Sequence, residues 1–259
     1  MKSLTTYIIE KMVYNKDSKP KYNYHPKTKG ELEELLTQLI EERGNDGDFN
    51  DIDTSEITDM KELFYYRKDF NGNISKWDVS NVKNMRSMFR DSKFNGDISK
   101  WDVSNAKDMS SMFWQSHFNG DISSWDVSSV KDMSSMFWQS HFTGENGDIS
   151  QWNVSNVEDM GIMFSDCKFN GDISNWDVSN VRDMCCMFSK SEFTGENGDI
   201  SKWNISNVKK MFDMFKNSKF NGDLSKWDVS NVDNMLSMFS NCPLKNQPEK
   251  WPKNYKTEY

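Results

Sequence analysis

The sequence has few apolar residues and no long hydrophobic run. Apolar residues make up 36% of its 259 residues, and the mean hydropathy is −0.83, which is low for an ordinary globular core. No run is long enough for a transmembrane helix, which needs about 18 apolar residues. The N-terminus also lacks the apolar core and cleavage site of a signal peptide. We therefore expect a cytoplasmic protein without membrane insertion, with the cell surface or a virion as the alternative location.

Histidine and cysteine are also scarce. There are three histidines and four cysteines, and the cysteine spacing fits neither a metal motif nor a disulfide framework. The carboxylates are periodic, and neither a nucleophile elbow nor a phosphate-binding loop occurs. The sequence therefore predicts a protein with reduced thiols, no catalytic residues, no cofactor and no bound metal. The net charge of −8 disfavours nucleic acid and favours a neutral or basic protein partner.

A repeat dominates what is present. Tryptophans lie at 77, 101, 125, 152, 176, 203, 227 and 251, so that neighbours are 24 or 27 residues apart. The unit reads F-N-G-D-I-S-x-W-D-V-S-N-V-x-x-M-x-x-M-F-x-x-S-x, and no proline interrupts it. We divide the chain into an N-terminal helical segment and cap (1–46), eight repeats (47–242) and a C-terminal cap or tail (243–259).

Each part of the unit predicts a local structure. Asn-Gly predicts a turn with positive φ. Ile-Ser-x-Trp-Asp-Val predicts a strand with Trp77 and Val79 on one side and Asp78 on the other. The apolar spacing from Val82 to Phe89 predicts a short helix or 3-10 turn. The serine at Ser92 predicts a tight, buried column of small residues.

The N-terminal segment has its own patterns. Residues 1–14 suggest a short helix, and residues 15–27 a basic linker. Glu31–Arg43 predicts an amphipathic helix with its leucines on one face. Because a terminal repeat exposes its core, we interpret this helix as the N-terminal cap. A partner-binding helix is the alternative.

The skeleton Ile-x-x-Trp-x-Val-x-x-Val-x-x-Met-x-x-Met-Phe over 74–89 resembles the leucine-rich repeat. More narrowly, the unit is similar to the BspA-like surface-protein repeat of bacteria and their phages. The resemblance implies an α/β repeat solenoid, a leucine-rich-repeat-like stack of short parallel strands and short helices or 3-10 turns with an α-helical cap. It also implies protein recognition or adhesion, with no catalytic residues.

One candidate site is a column of acidic residues, where a column means the residues at one position of consecutive repeats. Its carboxylates come from Asp53, Asp78, Asp102, Asp126, Asp177 and Asp228, with Asn153 and Asn204 between them. Three interpretations stay open: side chains that cap turns, a calcium site and an acidic docking face.

A second candidate comes from the identical segments 108–118 and 132–142. They place Trp114 beside Trp138, and His117 beside His141. The repeat does not need an aromatic at Trp114, so the pair is typical of a binding hot spot. Recent duplication with half-buried packing is the alternative. The paired histidines also suggest a metal site with two ligands.

Two further features lie in the C-terminal half. Ile162, Cys185, Phe212 and Leu236 suggest an apolar interface or packing filler. The duplicated Thr-Gly-Glu-Asn-Gly loops at 143–147 and 194–198 suggest a shared rim or tolerated insertions.

Together these features predict a non-enzymatic protein-binding module that uses the acidic column and the Trp114–Trp138 pair. The partner is unidentified and the oligomeric state is open. The alternative function is a structural or surface component, such as an adhesin or a phage particle protein.

Overall fold

The computed structural model describes residues 22–256. One α-helix, α1, spans Lys29–Arg43 and begins after Thr28, whose side chain accepts a hydrogen bond from the Glu31 N–H (3.2 Å). The predicted helix over Glu31–Arg43 is confirmed and starts two residues earlier. The helix suggested for residues 1–14 lies outside the described residues. Three 3-10 helices cover Ile200–Lys202, Pro243–Asn246 and Pro248–Lys250.

Helix α1 is attached to the first repeat by apolar packing and by one ion pair. Leu32, Leu36 and Leu39 are fully buried and belong to the same core cluster as the repeats. The Arg43 guanidinium donates to both carboxylate oxygens of Asp51 (2.7 and 3.0 Å), and this bond lowers the pKa of the Asp51 carboxyl. These contacts are what a helix that covers the open end of a stack requires.

Each repeat closes through tight turns. In the second repeat, the Trp77 N–H donates to the Ile74 carbonyl (3.1 Å) and the Val82 N–H donates to the Val79 carbonyl (2.9 Å). The chain therefore turns where the sequence predicts a strand, and that prediction is wrong. The predicted alternation is confirmed, because Trp77 and Val79 are buried and Asp78 is exposed.

The contact between repeats runs through the segment for which the sequence predicts a helix. The N–H groups of Met85, Ser87 and Phe89 donate to carbonyls of the next repeat at 2.8–2.9 Å. Within residues 22–256, strand pairing consists of isolated parallel bridges. The segment forms no helix, so that half of the prediction is wrong. The alternative, a 3-10 turn, fits the hydrogen bonding, because the Met88 N–H donates to the Met85 carbonyl (3.1 Å), but not the backbone, because Ser87 has φ of 54°. One bridge column links Asp59, Asn84, Asp108, Asp132, Asp159, Asp183, Lys210 and Asn234.

Positive φ angles occur in this same segment and not at the Asn-Gly pairs. Ser87 (54°) and Asp91 (55°) have positive φ, and their counterparts in the other repeats do too. The glycines of the Asn-Gly pairs are absent from the positive-φ positions, so that prediction is wrong. Glycine is needed there for close approach, since a Cβ at Gly96 would lie 2.9 Å from the Phe94 ring.

The core consists of columns of like side chains. Trp101 is buried, and its indole N–H donates to the Ile74 carbonyl of the preceding repeat (3.2 Å), a bond that recurs along the column. Phe89 stacks on Phe113 of the next repeat with ring centroids 5.7 Å apart. Burying one such side chain contributes roughly 1.5–3 kcal/mol. The small column is confirmed as buried at Ser92, Ser116, Ser140, Cys167, Ser191, Ser218 and Cys242.

The same turns, bridges and columns recur from one repeat to the next, so that consecutive repeats form an array in register. At its C-terminal end, Trp251 and Tyr255 pack on Phe239, with ring centroids 6.1 and 5.0 Å away. The indole N–H of Trp251 donates to the Leu244 carbonyl (2.7 Å), so this tryptophan departs from the pattern of the column. Among the described residues, no helix is both long and apolar enough to cross a membrane.

Candidate functional site

Trp114 and Trp138 form a stacked pair on the surface of the segment that is hydrogen-bonded to the next repeat, which is equivalent to residues 85–91 and which we call the inter-repeat segment. Their ring centroids lie 4.3 Å apart with an interplanar angle of 14°, as the repeat register predicts. Each ring directly follows a buried phenylalanine, and each is partly buried. The backbone hydrogen bonds of the segment hold the two residues at adjacent positions of the register.

The stack continues past the tryptophans into the earlier repeats. The Arg90 guanidinium carbon lies 3.3 Å from the Trp114 ring centroid and 4.9 Å from that of Tyr65. Tyr65, Arg90, Trp114 and Trp138 thus form one column, which we call the cation–aromatic column. Sequence analysis missed its first two members, although both occupy the register position of the tryptophans.

Two polar atoms in this column are buried without a partner in the described structure. They are the Nε atom of Arg90 and the indole nitrogen of Trp114. Leaving such groups unsatisfied costs about 1–3 kcal/mol each. The stacking therefore holds these side chains in an arrangement that hydrogen bonding to the rest of the described chain does not favour.

His117 and His141 form a second stacked pair, with ring centroids 4.5 Å apart. Burial, followed by the nearby His117 and Lys168, lowers the pKa of the His141 imidazole. No group of three or more metal-ligating side chains occurs within residues 22–256. Two imidazoles with a neighbouring lysine do not make a coordination set typical of zinc.

From Asp78 onward, the acidic column consists of exposed side chains that accept hydrogen bonds from the turn after each tryptophan. Asp53 differs, because it is partly buried and lies 3.0 Å from the His25 imidazole. The carboxylate of Asp78 accepts from the N–H (3.0 Å) and the hydroxyl (2.6 Å) of Ser80. At Asp126, the equivalent bonds from Ser128 lower the pKa of the carboxyl. The turn-capping interpretation explains these contacts. Equivalent N–H bonds occur at Asp102, Asp177 and Asp228.

A second acidic column, which sequence analysis missed, lies at the bridge positions. Burial raises the pKa of the Asp159 carboxyl, and the nearby Asp183 and Asp132 carboxylates add to the shift. The column ends at Lys210, whose ammonium lies 2.8 Å from Asp183. Its carboxylates accept N–H bonds from two residues further on, as Asp159 does from Gly161 (2.8 Å), so they also cap turns.

The apolar patch of the C-terminal half is smaller than the sequence suggests. Cys185, Phe212 and Leu236 each lie two residues after a bridge residue and share one column, and Leu236 is 56% exposed. Ile162 has φ of 63° and matches Cys186, not Cys185, so its predicted place in this column is wrong. The position in that repeat belongs to Gly161, so the patch begins at Cys185.

The two Thr-Gly-Glu-Asn-Gly loops line one open cleft of about 890 Å³. Lys168 and Asp172, which lie between the two loops in the chain, also line it. The shared-rim interpretation thus has a geometric basis. The nearby Cys167 is not a reactive thiol, because burial raises its pKa to about 11.

Comparison with known proteins identifies a family. The family model described as Mycoplasma protein of unknown function, DUF285, matches the chain twice, over residues 35–146 and 139–251. The two matches cover most of the chain, so the chain belongs to this family and is a repeat protein. No curated protein and no solved structure matches it.

Proposed function

We propose that this member of the DUF285 family is a non-enzymatic protein-binding module whose contact surface is centred on the cation–aromatic column. The observation that carries the proposal is the stacked, partly exposed Trp114–Trp138 pair. The fold of the repeat does not require an aromatic residue at this position, since later repeats have Ser165 and Ser189 there.

The physical case rests on preorganisation. Aromatic residues and arginine are the side chains most enriched in binding hot spots. Because Trp114, Trp138 and Arg90 are already stacked, a partner orders few additional rotamers, each of which costs about 0.5–1.5 kcal/mol. The exposed Gln115 and Gln139 beside the rings supply polar contacts at the rim.

Affinity capture from an extract of the source organism tests this function. The bait is the full chain, compared with the Trp114→Ala/Trp138→Ala double variant. The Phe212→Ala/Leu236→Ala double variant is the matched control, because it also removes two partly exposed apolar side chains. We expect one specific protein to be lost with the tryptophan variant and retained by the control. Loss with the control alone would move the site to the C-terminal patch.

The second candidate is the structural or surface component. The exposed Leu236 favours it, since an apolar column near one end of a stack suits association of copies. The resemblance to BspA-like repeats also points to adhesion. Sedimentation of the purified chain separates the two functions, because a component of an assembly forms defined oligomers and a recognition module does not require them.

A further inference from the structure

Two of the four cysteines, Cys185 and Cys186, are adjacent in the chain and partly exposed, whereas Cys167 and Cys242 are buried. All four are free thiols. The adjacent pair lies in the inter-repeat segment, where an earlier repeat has the serine pair Ser134–Ser135. The fold of the repeat therefore does not require two thiols at these positions.

The backbone at Cys186 is left-handed, with φ of 53°. Consecutive side chains point to opposite sides of an extended strand, and a left-handed residue breaks this alternation. The two thiols lie close enough to share a side-chain hydrogen bond. The peptide group between them is held by both neighbouring repeats, because its carbonyl accepts from the Ile162 N–H (2.7 Å) and its N–H donates to the Phe212 carbonyl (2.9 Å).

The sulfur of Cys185 lies over Gly161, which occupies the same position in the preceding repeat. A Cβ at Gly161 would lie 3.1 Å from this sulfur, which is too close for a side chain to fit without moving it. Earlier repeats have Arg86 and Ser134 at the position of Gly161. The one glycine at this position therefore gives the Cys185 thiol its place beside Cys186.

The hydrogen bond between the thiols distinguishes the two sulfurs. It lowers the pKa of the Cys186 thiol and raises the pKa of the Cys185 thiol. Burial and the Asp213 carboxylate oppose the shift at Cys186, and the Lys216 ammonium, which lies 2.9 Å from that carboxylate, supports it. Because the thiolate is the nucleophilic form of cysteine, Cys186 is the more reactive member of the pair.

We propose that Cys185–Cys186 is a redox modification site, at which a peroxide oxidises the two thiols to a disulfide between adjacent residues. With hydrogen peroxide, the Cys186 thiolate attacks one oxygen, the O–O bond breaks, and the leaving hydroxide takes a proton to become water. Cys186 is then a sulfenic acid. The Cys185 sulfur attacks the Cys186 sulfur, the S–O bond breaks, and the hydroxide leaves as water with the Cys185 proton. The thiols lose two electrons and the peroxide gains them.

The resulting bond is readily reduced. Neighbouring Cα atoms are about 3.8 Å apart, whereas the Cα atoms of disulfide-linked residues usually lie about 4.4–6.8 Å apart, and a bond outside this range is strained and more reducible. Formation of the disulfide also protects Cys186 from the irreversible step to a sulfinic acid. The site is therefore reversible, and it does not depend on the proposed function.

Peptide mapping by mass spectrometry tests the site. The folded full chain is treated with hydrogen peroxide, then denatured and alkylated, and trypsin releases residues 183–190, which contain both cysteines. We expect this peptide to lose two hydrogen atoms and escape alkylation, and a thiol reductant should restore both alkylation sites. Cys167 and Cys242 serve as internal controls and should remain fully alkylated. An unchanged 183–190 peptide, or equal oxidation of all four cysteines, would overturn the proposal.

Two single variants test the roles of the two sulfurs. Serine occurs at both positions in earlier repeats, so Cys185→Ser and Cys186→Ser should fold, which circular dichroism checks. In Cys185→Ser the sulfenic acid at Cys186 has no resolving thiol, so it should accumulate and form an adduct with dimedone. Cys186→Ser should lose the adduct. Equal amounts of adduct in the two variants would contradict the assignment of Cys186 as the nucleophile.

Discussion

At the scale of single residues, the His117–His141 pair couples the stability of the fold to pH. The rings stack at 4.5 Å, so a charge on one opposes a charge on the other. Burial, His117 and Lys168 together lower the pKa of His141 in the folded protein below its ordinary value of 6.5. The unfolded chain therefore binds the proton more readily, and stability falls as pH drops through and below about 6.5.

We expect the wild type to lose more stability between pH 7.5 and pH 5.5 than the His141→Gln variant does. The measurement is the urea midpoint of unfolding at both pH values. The bond between His25 and Asp53 (3.0 Å) is present in both proteins, so its titration cancels in the comparison. If stability depends on pH equally in the two proteins, the His117–His141 pair does not contribute to that dependence.

At the scale of the element, the inter-repeat segment combines parallel bridges with two left-handed residues per repeat. Ser135 has φ of 58° and Ser134 does not have positive φ, although the two are adjacent and both partly buried. A left-handed conformation costs a residue with a Cβ roughly 1–2 kcal/mol. Glycine avoids that cost, but its greater freedom in the unfolded chain lowers the free energy of unfolding by roughly 0.5–1 kcal/mol.

We therefore expect Ser135→Gly to leave stability unchanged or raise it by up to about 1 kcal/mol. Ser134→Gly, the matched control, should lower it by about 0.5–1 kcal/mol. Chemical denaturation of both variants checks the sign of each change. The same loss in both variants would mean that the left-handed backbone carries no strain at this position.

The elements of this chain differ in how far the sequence predicts them. Helix α1 follows from its apolar face, because Leu32, Leu36 and Leu39 recur at helical spacing and are buried. Met85, Met88 and Phe89 have a similar spacing, yet they lie in a turn with a left-handed residue at Ser87. A three-residue spacing brings side chains to one side in either structure, so periodicity alone does not separate them.

At the scale of the whole molecule, the repeat length carries most of what the sequence predicts about the candidate site. A fixed period places like residues beside like, which is why the stacking of Trp114 on Trp138 and of His117 on His141 follows from the sequence. The contact of Arg90 with Trp114 joins unlike residues at the same register position. It depends on side-chain conformations, which the period does not determine.

The central claim is that the 24-residue unit determines both the stack and the alignment of its surface columns. Removing residues 108–131 deletes one whole unit and joins Lys107 to Asp132, which preserves the register of every remaining column. Removing residues 108–119 deletes half a unit and breaks the register. In a stack, each unit contacts only its neighbours, so loss of a whole unit removes one interface and leaves the others intact.

The most direct measurement is thermal unfolding of these two deletion variants, followed by circular dichroism. We expect the whole-unit deletion to fold and to unfold cooperatively, with a melting temperature moderately below that of the full chain. The half-unit deletion should lose cooperative unfolding, although it removes fewer residues than the whole-unit deletion does. If both deletions fold equally well, or if both fail to fold, the 24-residue unit does not organise the molecule as described.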